Sequence, residues 1–127
     1  MIIAPTSIGR RTIAVLACLL VIGLSGCDDD LDHQPPAGQG AVIINNQTGS
    51  DIRVFLDGEE QPTVRAYRDR AIDRPPGVYR LVLDQRGGDR TFRDDIDVIA
   101  NRLTVVDVAT DPFHGARYDV AVFFRNP

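Results

Sequence analysis

Three regimes of hydrophobic and polar positions follow one another along the chain. Residues 12–24 form an almost unbroken apolar run of thirteen, led by Arg10 and Arg11 and followed by four acids within the next eight positions. Residues 28–40 are charged, contain proline and glycine, and carry few apolar side chains. From Ala41 onward, short apolar stretches alternate with turn residues at spacings of roughly 8–12 residues, which suits β-strands.

Within this third regime, residues 41–46 are a β-branched run closed by Gln47-Thr48-Gly49-Ser50. Residues 51–57 alternate: Ile52, Val54 and Leu56 take one face, Arg53, Phe55 and Asp57 the other, before an Asp57-Gly58 turn. The stretch 59–74 is polar and contains Pro62, and predicts one short strand near 64–67. Pro75-Pro76-Gly77 opens a strand over 78–84 with Tyr79, Leu81 and Leu83 on one face. Beyond Gln85-Arg86-Gly87-Gly88-Asp89, residues 90–99 place Phe92, Ile96 and Val98 on a face with Asp94. Ala100-Asn101 turns into a nearly continuous apolar strand over 102–109. A loop at 111–115 leads to a last strand, 117–124, with Tyr118, Val120, Val122 and Phe124 in phase. Six or seven strands with no amphipathic helix between them predict an all-β fold, a small antiparallel β-sandwich over 41–127.

A membrane-spanning helix needs about 20 apolar residues. The run at 12–24 is too short for that and, behind its two arginines, has the order of an export signal. Leu24-Ser25-Gly26-Cys27 at its end resembles the lipobox of bacterial lipoproteins: an aliphatic residue, two small ones and a cysteine. The resemblance implies that residues 1–26 are a signal peptide cleaved before Cys27. It also implies diacylglycerol on the Cys27 thiol and acylation of the new amino group, a covalent lipid with no further cofactor. Cys18 lies in the apolar run and leaves with it, so the mature chain has one cysteine and no intrachain disulfide. Acylation protects a thiol that would otherwise meet oxidant. Two or more acyl chains anchor firmly where one is marginal, at about 0.8 kcal/mol per buried methylene. Arg10-Arg11 leaves twin-arginine export open beside the general secretory route. Asp28 resembles the inner-membrane retention signal of enteric lipoproteins, a rule that does not hold in all bacteria, so the choice of membrane stays open. Residues 27–40 read as a lipidated, disordered tether reaching at most ~45 Å.

Without residues 1–26, twelve arginines face eighteen acids, a net charge of about −6. Nucleic acid is not expected as a partner, because it requires a basic face. Every basic residue is arginine and none is lysine, which base composition explains. No Ser/His/Asp grouping, phosphate-binding loop or His/Cys spacing appears, so an enzyme is not expected. Alternation splits Asp94 from Asp95 and Asp97, His33 sits in the tether and His114 in a loop, so no metal site is expected. Asn46-Gln47-Thr48 fits a glycosylation sequon and reads as an exposed turn. The one basic patch is Arg65, Tyr67, Arg68 and Arg70, with Arg74 nearby. Arginine and tyrosine are enriched at binding hot spots, which makes these the candidate partner-binding residues. The competing reading is an edge strand whose charges block edge-to-edge pairing.

The order Asn45-Asn46-Gln47-Thr48-Gly49-Ser50-Asp51, a strand into Asp57-Gly58, then Pro75-Pro76-Gly77-Val78-Tyr79 opening the next strand, resembles a PEGA-type domain over residues 41–109. The Pro-Glu-Gly-Ala tetrapeptide is absent, Pro76-Gly77-Val78-Tyr79 is its nearest trace, and the strand at 117–124 lies beyond the unit. The resemblance implies an Ig-like or transthyretin-like sandwich on an envelope protein without catalysis. The expectation is a membrane-anchored module facing the periplasm that binds or scaffolds an envelope protein or cell-wall polymer. The alternative is an accessory lipoprotein subunit of a secretion or envelope machine.

Overall fold

Alternating stretches bury one face each, and here two sets of such faces close on one another. The computed structural model describes residues 30–113 and 115–127. These hold eight strands: β1 (Gly40–Asn46), β2 (Ile52–Leu56), β3 (Glu59–Val64), β4 (Asp69–Arg74), β5 (Gly77–Gln85), β6 (Thr91–Val98), β7 (Leu103–Thr110) and β8 (Tyr118–Arg125). They form two four-stranded sheets, ordered β4-β1-β7-β8 and β3-β2-β5-β6. The fold is an all-β sandwich. β2–β3, β5–β6 and β7–β8 are hairpins, the first turning on Asp57 and Gly58 with the positive φ values, 50° and 80°, that a two-residue turn demands.

Two features depart from the sequence reading. The polar stretch 59–74 yields two strands; of the short strand expected near 64–67, Val64 ends β3, and residues 65–68 are the turn that carries the chain from one sheet to the other. Both new strands are sheet edges, where Pro62 is tolerated and few apolar residues are needed: only Gln61 and Val64 of β3 and Ile72 of β4 are buried. The sandwich is also not wholly antiparallel, because β1 and β7 pair in parallel from Ala41↔Leu103 to Asn46↔Val108. Hairpin neighbours must be antiparallel, whereas these two strands are joined by the whole excursion through β2 to β6, which leaves direction free.

The main core lies between the sheets, where Val42, Ile44, Val106 and Val108 meet Ile52, Val54, Leu81 and Leu83. A second cluster sits on the opposite face of β1 and β7: Ala41, Ile43, Leu103 and Val105 are all buried, with Leu31 and Ala71 packed on them. The cover is the N-terminal segment. A 3-10 turn at Asp30–Asp32 is followed by buried Pro35, with His33 Nε2 2.6 Å from Asp73 Oδ1 on β4 and Arg125 3.5 Å from Asp32. Further along, Asn101 Oδ1 accepts Gly38 N at 3.2 Å, and Asn101 N donates to Gln39 O at 2.7 Å. The expectation of a disordered tether over 27–40 is therefore corrected for residues 31–40. Their own apolar content is small, but the sheet supplies an apolar face that needs covering.

Tyr118, at the start of β8, is 6% exposed, and its hydroxyl has no hydrogen-bond partner among the described residues. Burial pushes the phenol from 10.0 up to about 12, with Arg90 opposing. The native chain thus keeps a proton that the unfolded chain releases near pH 10. The stabilisation is fully present below pH ~10 and falls by up to about 1.4 kcal/mol per pH unit toward pH ~12. Tyr118→Phe is expected to raise neutral-pH stability by about 1 kcal/mol, since it removes an unpaired buried hydroxyl. It should also flatten the alkaline fall. Urea denaturation across that window reads both, and an unchanged alkaline slope would assign the loss to another group.

Candidate functional site

The sheet-crossing turn at 65–68 is held from inside by one asparagine. Asn46, at the end of β1, is 1% exposed. Its Oδ1 accepts Thr48 N at 2.9 Å and Thr48 Oγ1 at 2.7 Å. Its Nδ2 donates to the carbonyls of Ser50 at 2.8 Å, Arg65 at 3.0 Å and Val64 at 3.3 Å. Every hydrogen-bonding capacity of the carboxamide is used. The backbone adds to the clamp: Asn46 N donates to Arg68 O at 2.9 Å and Tyr67 N to Thr48 O at 3.1 Å. Asp51 Oδ1 accepts Ala66 N at 3.0 Å. Together these hold Tyr67 at a φ of 56°, a left-handed state that costs an L-residue roughly 1–2 kcal/mol. The sequon Asn46-Gln47-Thr48, expected as an exposed turn, instead buries its asparagine.

Clamping the backbone inside leaves the side chains pointing out. Arg65, Arg68 and Arg70 line one cleft of about 240 Å³ together with Val64 and Asp69. Three guanidinium groups against one carboxylate give it net positive charge on an acidic chain. Tyr67 does not line the cleft; it stands 74% exposed at the tip of the turn, beside Gly49. Arg74 is tied elsewhere, donating to Gln61 Oε1 at 2.7 Å and to Asp73 O at 2.8 Å. The structure thus gathers three of the four expected residues around one concavity and puts the fourth at its rim. Planar guanidinium forks in that arrangement suit carboxylate or phosphate oxygens.

No family model and no curated protein matches this chain. Among solved structures, the N-terminal domain of AlgF from P. aeruginosa is similar, at 14% identity and a TM-score of 0.47, over 70% of this chain and 98% of that one. A likeness of this size carries no functional argument.

Cys27 and Asp28, the expected lipidation and sorting residues, lie outside the described residues, as does His114. No helix among the described residues is long and apolar enough to cross a membrane. In the acidic strand β6, Asp95 is ion-paired with Arg80 on β5, and Asp94 Oδ1 accepts the Asp95 amide at 2.8 Å. Sequence reasoning passed over a second, larger cleft of about 430 Å³, bounded by Arg53, Glu60, Thr63, Gln85, Arg86 and Gly87. Arg53 there reaches Glu60 at 3.5 Å across the β2–β3 hairpin and lies 5.2 Å from the Phe55 ring centroid. The Asp57-Gly58 turn fixes the hairpin register, and with it that pairing; Arg86 arrives from a separate turn that no local pattern links to it.

Proposed function

We propose that this chain is an envelope lipoprotein, anchored by lipid on Cys27. Its sandwich is a non-catalytic module that engages carboxylate groups of an envelope protein or cell-wall polymer through Arg65, Arg68 and Arg70, with Tyr67 at the rim. The observation that supports this reading is the clamped turn: three cations converge on one cleft over a backbone fixed by Asn46. Preorganised donors lose less entropy on binding than donors on a mobile loop. With residues 31–40 on the sheet, the spacer from Cys27 to Leu31 spans at most ~14 Å, so the domain rides close to the headgroups rather than tens of ångströms above them.

Two arms of one experiment in intact cells test the proposal. Metabolic labelling with a clickable fatty acid, followed by fractionation, is expected to mark the wild-type chain in membranes and to give no label on Cys27→Ala. Label retained by that variant removes the anchor. A photo-crosslinking amino acid at Tyr67 is expected to capture a partner whose yield falls at least about tenfold in an Arg65→Ala/Arg68→Ala/Arg70→Ala chain. Adducts unchanged by the triple substitution would remove the arginine cleft from the function while leaving the anchor untouched.

A further inference from the structure

The four outer strands of the two sheets are β4, β8, β3 and β6. Three of them carry the devices that keep exposed edges from pairing. β3 has Glu59, Glu60 and Pro62; β4 has Asp69, Arg70, Asp73 and Arg74; β6 has Arg93, Asp94, Asp95 and Asp97. β8 carries charge only near its two ends, at Asp119 and Arg125, and none between them. Residues 120–124, Val-Ala-Val-Phe-Phe, are an uninterrupted uncharged run, and Val122, Phe123 and Phe124 are each 43–44% exposed. One side of β8 is hydrogen-bonded to β7 along its whole length, and the other side pairs with no strand among the described residues. The link to the opposing sheet at this edge, the Thr91↔Arg117 bridge, falls just before β8 begins.

The charges that flank the run are arranged for self-pairing. Asp119 precedes it and Arg125 ends it, each three residues from Val122. Consider two copies of β8 lying antiparallel about a two-fold axis at Val122. Asp119 of each copy then faces Arg125 of the other, Val120 faces Phe124, Ala121 faces Phe123, and Val122 faces itself. Directly opposed residues share a face of the sheet, so both charge pairs lie on the outer face and both large rings meet smaller side chains. The alternatives are worse. Moving the axis to Ala121 sets Arg117 against Arg125, moving it to Phe123 leaves Asp119 and Arg125 without opposite charges, and a parallel in-register pair sets like charge on like at both ends. Arg125 already holds Asp32 at 3.5 Å through one terminal nitrogen, and its remaining donors are free to take a second carboxylate.

We infer that β8 is a homodimerisation edge: two copies of this chain join through residues 119–125 into one continuous eight-stranded sheet, with Val122 on the two-fold axis. The isologous pairing closes after two copies and uses up the unpaired edge, so assembly stops at the dimer.

Disulfide trapping of the full chain in intact cells tests this, with the unaltered chain setting the background. Directly opposed Cα atoms in an antiparallel pair are about 4.5–5.5 Å apart, within disulfide reach. Val122→Cys is therefore expected to give a covalent dimer under mild oxidation. Phe124→Cys places its two thiols four residues apart along the strands, ~14 Å, and is expected to stay at background. In the Val122→Cys chain, Asp119→Arg or Arg125→Asp should each lower dimer yield about tenfold, and the two together should restore it. Equal trapping at 122 and 124, no trapping at 122, indifference to the charge swaps, or trapping of a different protein at 122 would each overturn the inference. All four positions are exposed, and circular dichroism of each variant confirms that the sandwich is intact.

Discussion

Asn46→Ala is expected to cost about 3 kcal/mol of folding stability, far more than an exposed substitution one residue away. The variant leaves the Thr48 amide and the carbonyls of Ser50, Val64 and Arg65 without their side-chain partner. Each lost hydrogen bond is worth about 1 kcal/mol, and a group left buried and unsatisfied costs 1–3 kcal/mol. Several of these groups border solvent, so water recovers part of the loss and the sum stays near the lower end. In a domain of this size 1 kcal/mol moves Tm by about 4–8 °C, giving an expected drop of about 15 °C. Gln47→Ala, at an exposed neighbour, should stay within about 0.5 kcal/mol. Asn46→Asp should be no better than alanine, since it removes both donors and sets a carboxylate against three carbonyl oxygens. Thermal and urea denaturation of the three variants decide the matter; a loss below about 1 kcal/mol for Asn46→Ala would mean that the turn holds itself. The same variant separates positioning from charge, because it keeps every arginine. If the fixed turn matters to binding, the Tyr67 crosslink weakens in Asn46→Ala under conditions where the sandwich is still folded.

The elements that were legible in the sequence are those whose side chains alternate. Ile52, Val54 and Leu56 bury one face of β2, Leu81 and Leu83 one face of β5, and Ile96 and Val98 one face of β6, as their spacing requires. β3 and β4 were illegible because a sheet edge needs few apolar residues, and a composition such as Glu-Glu-Gln-Pro-Thr-Val looks like loop. The parallel pairing of β1 with β7 was hidden for another reason: periodicity gives a strand's faces, never its partner or direction.

Residues 31–40 pack on the sheet although their own composition is that of a tether. Ala41-Val42-Ile43-Ile44 and the matching stretch of β7 do not alternate, and a continuous apolar run is the mark of a strand buried on both faces. One face of each was accounted for by the sandwich core, which left the other to be covered by something. The segment just upstream of β1 was the nearest available cover, and Leu31 and Pro35 were its two apolar footholds. For the candidate site, the arginines themselves were visible as a cluster against an acidic background. Their convergence on one cleft was not, because it depends on a sheet-crossing turn fixed by a single buried carboxamide. Such a side chain leaves no period in the sequence, and Asn46 was visible only as part of a sequon.

Gly40→Ala is expected to destabilise the domain by about 3 kcal/mol and to loosen the N-terminal cover in particular. Gly40 begins β1 where the chain passes closely between the β6–β7 turn and the sheet: Ala41 N donates to Arg102 O at 3.1 Å, and Gln39 O accepts Asn101 N at 2.7 Å. A methyl group at Gly40 would collide with the Ile99 carbonyl oxygen, stand 2.7 Å from Val98 Cγ1 and press on Arg102 O at 3.2 Å. Two of these three neighbours are backbone and cannot rotate away, so relief requires β1 and the turn to separate. Overpacking of this kind costs about 1–3 kcal/mol, and rigid neighbours place it at the upper end. Separation would strain the bonds between residues 38–39 and Asn101, the tie that continues into the 31–39 cover over Ile43 and Val105. Gly77→Ala is the matched control, since its added methyl meets only an ordinary 3.7 Å contact with the Tyr79 ring. Urea unfolding should separate the two variants by at least about 2 kcal/mol. Amide exchange should show faster opening at Ile43 and Val105 in Gly40→Ala than in Gly77→Ala. Equal stabilities would mean that the two segments are not pinned together at Gly40, and the cover would then be held by its other contacts, Leu31 and Pro35 on the sheet, His33 on Asp73 and Asp32 on Arg125.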